Sequence, residues 1–223
     1  MAAYHRPSSL DDALGLLAAG GVTVAAGCTD LFPATERRAL PGDVLDITAI
    51  RGLRGIAAGP DGVRIGATST WTDVIRAGLP PAFDMLKEAA REVGSVQIQN
   101  AGTVAGNLCN ASPAADGVPC LLALDAAVEL ASLRGTRLMP LADFITGVRQ
   151  TARAPDELLT ALHVPADRAR GRSRFLKLGA RRYLVISIAM VAARLDVEDG
   201  QVAGAAVAVG ACSAVAMRLH ALE

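Results

Sequence analysis

The spacing of apolar and polar positions changes period several times along the chain, and each change predicts an element. Leu10, Leu14 and Leu17 recur at helical spacing behind Ser8 and Ser9, either of which suits an N-cap, while Asp11 and Asp12 fall in the first turn, where the helix dipole favours acids. Gly20 and Gly21 stop that helix. "VTVAAG", Val22 to Gly27, is a short β-rich run ending on glycine, "CTDLFPATERRALP" predicts a tight turn and a short helix, and "GDVLDITAI" a further strand. The first fifty residues thus read as a β-α-β style unit.

From Arg51 the texture becomes that of hairpins. Two short strands flank the turn Pro60-Asp61-Gly62, which points to antiparallel sheet, and a helix starts near Ser69 or Thr70. "AFDMLKEAAREVG" predicts a helix with Phe83, Leu86 and Ala90 on one side and Gly94 at its end. "GTVAGNLCNASPAAD", Gly102 to Asp116, reads as a loop of small donors. Beyond it lie a short helix and strand in "VPCLLALDAAVELAS", a turn and helix start in "RLMPLADFITG", and a strand, "ELLTALHVP", closed by Pro165. "ADRARGRSR" has the composition of a linker. After it, "VISIAMVAARLDV" and "VAGAAVAVG" are separated by the turn "EDGQ", and the uncharged run Val202 to Met217 reads as a buried strand leading into a helix.

Composition narrows the function classes. The 223 residues are 52% apolar but only 3% aromatic, so Ala, Val and Leu must build the core, and the length allows one large or two small domains. Twenty-two basic residues balance 22 acidic ones, which excludes the footprint of nucleic-acid binding or a polybasic membrane anchor. No run reaches the roughly 20 apolar residues of a membrane span, and the N-terminus lacks the pattern of a signal peptide. Cys28, Cys109, Cys120 and Cys212 are scattered without metal-ligand spacing, which predicts reduced thiols, a cytoplasmic location and no bound metal.

Two stretches suit an anion held by backbone N–H groups: "AAGCTD", Ala25 to Asp30, and "GTVAGN", Gly102 to Asn107, with Asn110, Ser112 and Asp116 close behind. Each alone more often marks an ordinary surface turn. P-loop and Rossmann glycine patterns are absent, and His5, His163 and His220 are too dispersed in sequence to suggest a hydrolase triad. Cys109 reads as a structural thiol rather than a nucleophile. Asp116 fits either an acid-base group or a partner of a sugar hydroxyl.

"AAGCTDL", "VLDI", "RIGATST", "VGSVQIQNAGTVAGNLCNASPAADGVPCLLALDA" and "FLKLGARRYLVISIAMVAARL", in that order, resemble the FAD-binding (medium) subunit of the molybdenum hydroxylases, the xanthine dehydrogenase and carbon monoxide dehydrogenase type, and within it the bacterial xanthine-dehydrogenase-type subunits. The resemblance implies an α+β fold of the molybdopterin dehydrogenase, vanillyl-alcohol-oxidase-like kind. Residues 1–50 would form an N-terminal FAD-binding α/β subdomain, 51–168 a second subdomain with mostly antiparallel sheet, and 172–223 an incomplete C-terminal α+β domain.

By the same resemblance, FAD lies between the first two subdomains. Ala26, Gly27, Cys28, Thr29 and Asp30 would meet its diphosphate, joined by Thr103, Gly106 and Asn107. Asn110, Ser112 and Asp116 would serve the ribose, ribityl or diphosphate region. Val93 would lie near the adenine, and Leu159 and Lys177 near the isoalloxazine, the lysine favouring negative charge on reduced flavin. No side chain is implied as an acid-base catalyst. Implied partners are a large molybdopterin-binding subunit and a small [2Fe-2S] subunit in a heterotrimer, with NAD or another acceptor taking the electrons. Two departures stand out: the family often has glycine where Cys28 and Ala105 stand, and a Cβ limits positive φ and close approach. They motivate an alternative, an assembly subunit with a degenerate flavin site; another is a free-standing FAD oxidoreductase.

Overall fold

A computed structural model describes residues 2–35, 40 and 42–223. Its first layer is a parallel three-stranded sheet, β1 (Tyr4–His5), β2 (Val22–Ala25) and β3 (Asp43–Asp46), ordered β1-β3-β2. Helix α1 (Leu10–Ala19) connects β1 to β2. Ser9 caps it, its Oγ accepting from the Asp12 N–H at 3.2 Å, and Gly20 and Gly21, with φ of +78° and +73°, end it in a conformation costly for other residues. Leu14 and Leu17 of α1 meet Leu45, Ile47, Ile50 and Leu53 in a small core of their own. The short helix expected between Cys28 and Pro41 falls partly outside the described residues; Thr29 to Ala34 form turns.

The second layer is a five-stranded antiparallel sheet of β4 (Ile56–Gly59), β5 (Gly62–Gly66), β6 (Ala127–Ser132), β7 (Gly135–Pro140) and β10 (Leu158–Pro165), ordered β4-β5-β10-β6-β7. Between β5 and β6 run helices α2 (Trp71–Arg76), α3 (Asp84–Glu92), α4 (Val96–Ala101), α5 (Val104–Asn110) and α6 (Gly117–Ala123). After β7 come α7 (Leu141–Phe144) and the small hairpin of β8 (Ile145–Gly147) and β9 (Gln150–Thr151). Thr70 and Asp73 form a reciprocal capping box at the start of α2, as the run "STWTD" allows. The stretch read as a loop thus contains a helix over nearly half its length: Thr103 caps α5, and Val104 and Leu108, one turn apart, are fully buried and hold it despite Gly106 and two asparagines.

A third, antiparallel sheet contains β11 (Arg172–Leu178), β12 (Ala189–Glu198), β13 (Gln201–Gly210) and β14 (Met217–Arg218) in sequence order. Its inner face lies on α3 and α6. One continuous core runs from Val63 and Trp71 through Met85, Leu86 and Leu121 to Phe175, Met190, Ala192 and Ala208. Polar ties reinforce it: the Met85 N–H donates to Ser173 Oγ at 2.9 Å and the Phe175 N–H to Glu88 at 2.7 Å. The helix expected after Gly210 does not form. Ala211 takes φ +66°, the chain turns, and β14 pairs with β13 before a single 3-10 turn at His220–Leu222.

The outer face of this sheet carries Leu176 and Leu178 on β11 and Val191 and Leu195 on β12, with Leu176 opposite Val191 and 75% exposed. An antiparallel sheet with one solvated face turns polar residues to it, and here Arg172 and Arg174 at the start of β11 give way on that face to exposed leucines. Among the described residues no helix is long and apolar enough to cross a membrane.

Candidate functional site

The carboxyl end of β2, the place where α/β sheets receive ligands, opens into a cavity of about 1020 Å³. What happens there is dictated by glycine. Gly27 follows β2 and lies against the α4–α5 junction so closely that a Cβ at Gly27 would stand 2.1 Å from the Ala101 carbonyl oxygen and 2.8 Å from the Gly102 Cα. Gly102 returns the fit: a Cβ there would meet the Ile98 carbonyl at 3.0 Å and Thr29 Oγ1 at 3.2 Å. The two stretches singled out in the sequence, 75 residues apart, are therefore in backbone contact.

The junction is fixed from behind. The Trp71 N–H donates to the Gly102 carbonyl at 3.1 Å, the Val104 N–H to the Ser69 carbonyl at 3.1 Å, and the buried Trp71 ring faces Gly102 and Gly117. Substituting Gly117 would put a Cβ 2.5 Å from that ring and 3.2 Å from Asn107 Oδ1. In front, the N–H groups of Gly27, Cys28, Thr29 and Asp30 donate to no acceptor among the described residues. Consecutive N–H groups left without internal acceptors can bind an anion, and Thr29 and Thr103 line the same cavity. Cys28 reaches its place at φ +57°, in the left-handed region, so the expected strain of a non-glycine residue is real at Cys28. It is absent at Ala105, which sits inside α5.

All fourteen residues anticipated from the resemblance line this cavity: Ala26, Gly27, Cys28, Thr29 and Asp30 on one wall, Thr103, Gly106, Asn107, Asn110, Ser112 and Asp116 on another, with Val93, Leu159 and Lys177 beside them. Several are occupied within the protein. Thr103 Oγ1 accepts from the Gly106 N–H at 3.0 Å, Ser112 Oγ from the Ala114 N–H at 3.3 Å, and Asn110 Oδ1 from Arg149. Both oxygens of Asp116 are engaged, by Lys177 at 2.7 Å and by Ser187 at 2.6 Å. Asn107 is the contrary case, its Oδ1 buried without a partner among the described residues.

The sequence reading missed part of the lining. Arg149 and Arg153 enter from the β8–β9 hairpin and its exit, and Leu184, Val185 and Ile186 from the connection between β11 and β12. Two arginines in the otherwise uncharged "GVRQTARAP" are a faint signal, and only the tertiary fold brings them to the cavity.

Comparison with known proteins decides what family this cavity belongs to. Residues 1–167 match the family described as the FAD binding domain in molybdopterin dehydrogenase. The chain belongs to that family. The nicotinate dehydrogenase FAD-subunit of Eubacterium barkeri is 36% identical over 221 residues, covering 94% of this chain and 73% of that protein. The xanthine dehydrogenase FAD-binding subunit of Escherichia coli O157:H7 is 32% identical over 227 residues, covering all of this chain and 78% of that one. Among solved structures, reconstituted CO dehydrogenase from Oligotropha carboxidovorans superposes with a TM-score of 0.91 at 28% identity, covering 99% of this chain and 78% of that chain.

This FAD-binding subunit of the molybdenum hydroxylase family is accordingly a component of an oxidoreductase, and its cavity can be tested for fit to the cofactor. The fit is good on its own terms. The N–H groups between Gly27 and Asp30 that lack a partner among the described residues suit a diphosphate, the NH2 of the Asn107 amide is a further donor for it, and the volume lies just above the range of about 300–1,000 Å³ usual for cofactor pockets.

Proposed function

We propose that FAD lies extended along this cavity and that the chain passes electrons from [2Fe-2S] clusters of a small partner subunit, reduced in turn by a large molybdopterin-binding subunit, to NAD or another acceptor. The observation that carries the reading is the contact of Gly27 with the Ala101–Gly102 backbone, which brings four N–H groups without a partner among the described residues into one cavity with Thr103 and Asn107. Ala26 to Asp30, Thr103, Gly106 and Asn107 would hold the diphosphate. Asn110, Ser112 and Asp116 would border the sugar and ribityl portion, Val93 the adenine, and Leu159 and Lys177 the isoalloxazine. When bound, FAD supplies the redox chemistry, accepting and releasing electrons.

The chain's own contribution is to bind, orient and shield. The N–H groups meet negative charge through backbone dipoles, and the buried Leu159 makes an apolar wall at the other part of the cavity. No acid-base side chain is required of it. The balanced charge and unpaired thiols fit a cytoplasmic heterotrimer with neither nucleic acid nor membrane as partner.

The test is made on the assembled complex. Anaerobic reduction of the [2Fe-2S] subunit should be followed by bleaching of the flavin band in the parent and not in a complex carrying Asn107→Leu. Clusters that become reduced while the bound flavin of the parent stays oxidised would sink the electron-transfer reading. A complex that assembles but never holds flavin would favour the assembly-subunit alternative, to which the strained Cys28 lends its one observation.

A further inference from the structure

The cavity wall contains a buried charge pair separate from the phosphate cradle. Asp116, preceding α6, and Lys177, on β11, have side-chain exposures of 7% and 8%. Lys177 Nζ donates to Asp116 Oδ2 at 2.7 Å, and the Ser187 hydroxyl, from the β11–β12 connection, donates to Oδ1 at 2.6 Å. The backbone carbonyl of Asp116 accepts from Cys120 Sγ. A buried ion pair adds little stability over apolar side chains of the same volume, while loss of one partner strands the other. Stability alone is therefore a weak reason for this one.

The hydrogen bonds of the lysine point elsewhere. An ammonium has three N–H donors, and Lys177 uses one among the described residues although its side chain is nine-tenths buried. The remaining two belong to a group that lines the cavity, so an occupant with carbonyl or anionic oxygens would complete its bonding. The two arginines of the cavity have their own bonds, Arg149 to Asn110 and Arg153 to the Glu157 carbonyl, whereas Lys177 and Asp116 face each other directly.

We infer that Asp116 is a positioning residue that sets the charge Lys177 presents to the bound flavin: the pair is neutral as a whole, Ser187 holds its carboxylate in place, and the flavin meets a balanced pair in place of a free ammonium. The inference rests on the reading of the cavity as the FAD site. Adding electrons to a flavin makes it more negative, so an adjacent cation favours the reduced form and an adjacent anion the oxidised form. Opening the pair from its two ends must then act in opposite directions.

The experiment compares the parent chain, Asp116→Asn, Lys177→Gln, the double variant and Ser187→Ala, each loaded with FAD and equilibrated anaerobically with a reference redox dye at neutral pH. The reading is the ratio of reduced to oxidised bound flavin. Asp116→Asn should raise it about threefold or more, Lys177→Gln should lower it about as much, and the double variant and Ser187→Ala should stay within about twofold of the parent. Lys177→Arg, which keeps the charge, should restore the ratio that Lys177→Gln loses. Loss of FAD by a single variant that the double variant regains would support mutual neutralisation in the same way. Shifts of the same sign, no shift, an equally large effect of Ser187→Ala, or flavin lost in a single variant and not regained in the double would overturn the inference. A parent chain that takes up no FAD would instead refute the reading of the cavity itself, and the two failures are thereby told apart.

Discussion

Replacing Gly27 by alanine adds one methyl group at the point where the structure has no room for it. The new Cβ would lie 2.1 Å from the Ala101 carbonyl oxygen, with the Ala101 carbon and the Gly102 Cα at 2.8 Å, all of them backbone atoms. Ordinary contact at about 3.2 Å requires the two segments to part by about 1 Å. Neither yields easily. The Ala25 carbonyl is held by the Ile47 N–H at 3.0 Å, and Gly102 is held from both sides, by the Ile98 carbonyl at 2.7 Å and the Trp71 N–H at 3.1 Å. Overpacking of this kind costs about 1–3 kcal/mol of stability. The same displacement separates the N–H groups from Thr103 and Asn107, and FAD affinity should fall about ten- to a hundredfold, or about 1.4–2.7 kcal/mol. Urea unfolding of the cofactor-free protein measures the first quantity, and quenching of FAD fluorescence on titration measures the second. Gly15→Ala is the control: Gly15 lies mid-helix with nothing within 4 Å of its added Cβ, and it should gain about 0.5–1 kcal/mol with affinity unchanged. A Gly27→Ala protein with the parent's midpoint and the parent's affinity would refute the backbone contact on which the site is built.

Three other expectations follow from different parts of the molecule. Cys28→Gly should relieve the left-handed strain and stabilise the cofactor-free protein by up to about 1 kcal/mol, since φ +57° favours glycine; thermal unfolding checks it, and a lower midpoint would contradict it. Glu157, gripped by the Arg137 guanidinium at 2.6 and 2.8 Å and by the Ala154 N–H, has its carboxyl pulled from 4.5 to about 2, so its contribution is complete above pH 4.5 and disappears as pH falls toward 2. Discounted for the 44% exposure of Arg137, that is about 1–2 kcal/mol, and Glu157→Gln should flatten the acid limb of the stability profile in that window. On the third sheet, Val191→Lys with Leu195→Lys should reduce self-association and dye binding by the exposed apolar face, measured by light scattering and hydrophobic-dye fluorescence; unchanged values would mean that face is not the sticky surface.

How far the sequence foretold the molecule depends on how local each signal was. Helix α1 was legible because its cap, its acids and its glycine stop are all within a dozen residues. The five-stranded sheet could be anticipated as hairpins, but β10 between β5 and β6 is a long-range pairing that no local pattern encodes. Helix α5 was hidden because its composition, with Gly106, Asn107 and Asn110, is that of a turn; the burial of Val104 and Leu108 overrides that propensity. The end of the chain misled for a related reason. Ala and Val after Gly210 suit a helix, yet Ala211 at positive φ and pairing of Met217 with Val209 carry the chain into a strand. At the site, the resemblance singled out residues that line one cavity, whereas their hydrogen-bond partners were not legible. That Asp116 joins Lys177 and Ser187, 61 and 71 residues away, or that Arg149 bonds Asn110, is visible only once the sheets are assembled.

The central claim is that the cavity between the Gly27 turn and helix α5 holds FAD, and Asn107→Leu tests it most directly. Asn107 lines the cavity with an amide NH2 that can donate to a phosphate, while its buried Oδ1, without a partner among the described residues, weakens the empty protein. Leucine has a similar shape without that oxygen. Equilibrium titration of the parent and the variant with FAD, alongside their unfolding midpoints, should show the variant at least as stable as the parent, by up to about 1–3 kcal/mol, yet binding FAD about tenfold or more weakly. A variant that binds FAD as tightly as the parent, or a parent that is folded and binds none, would contradict the account.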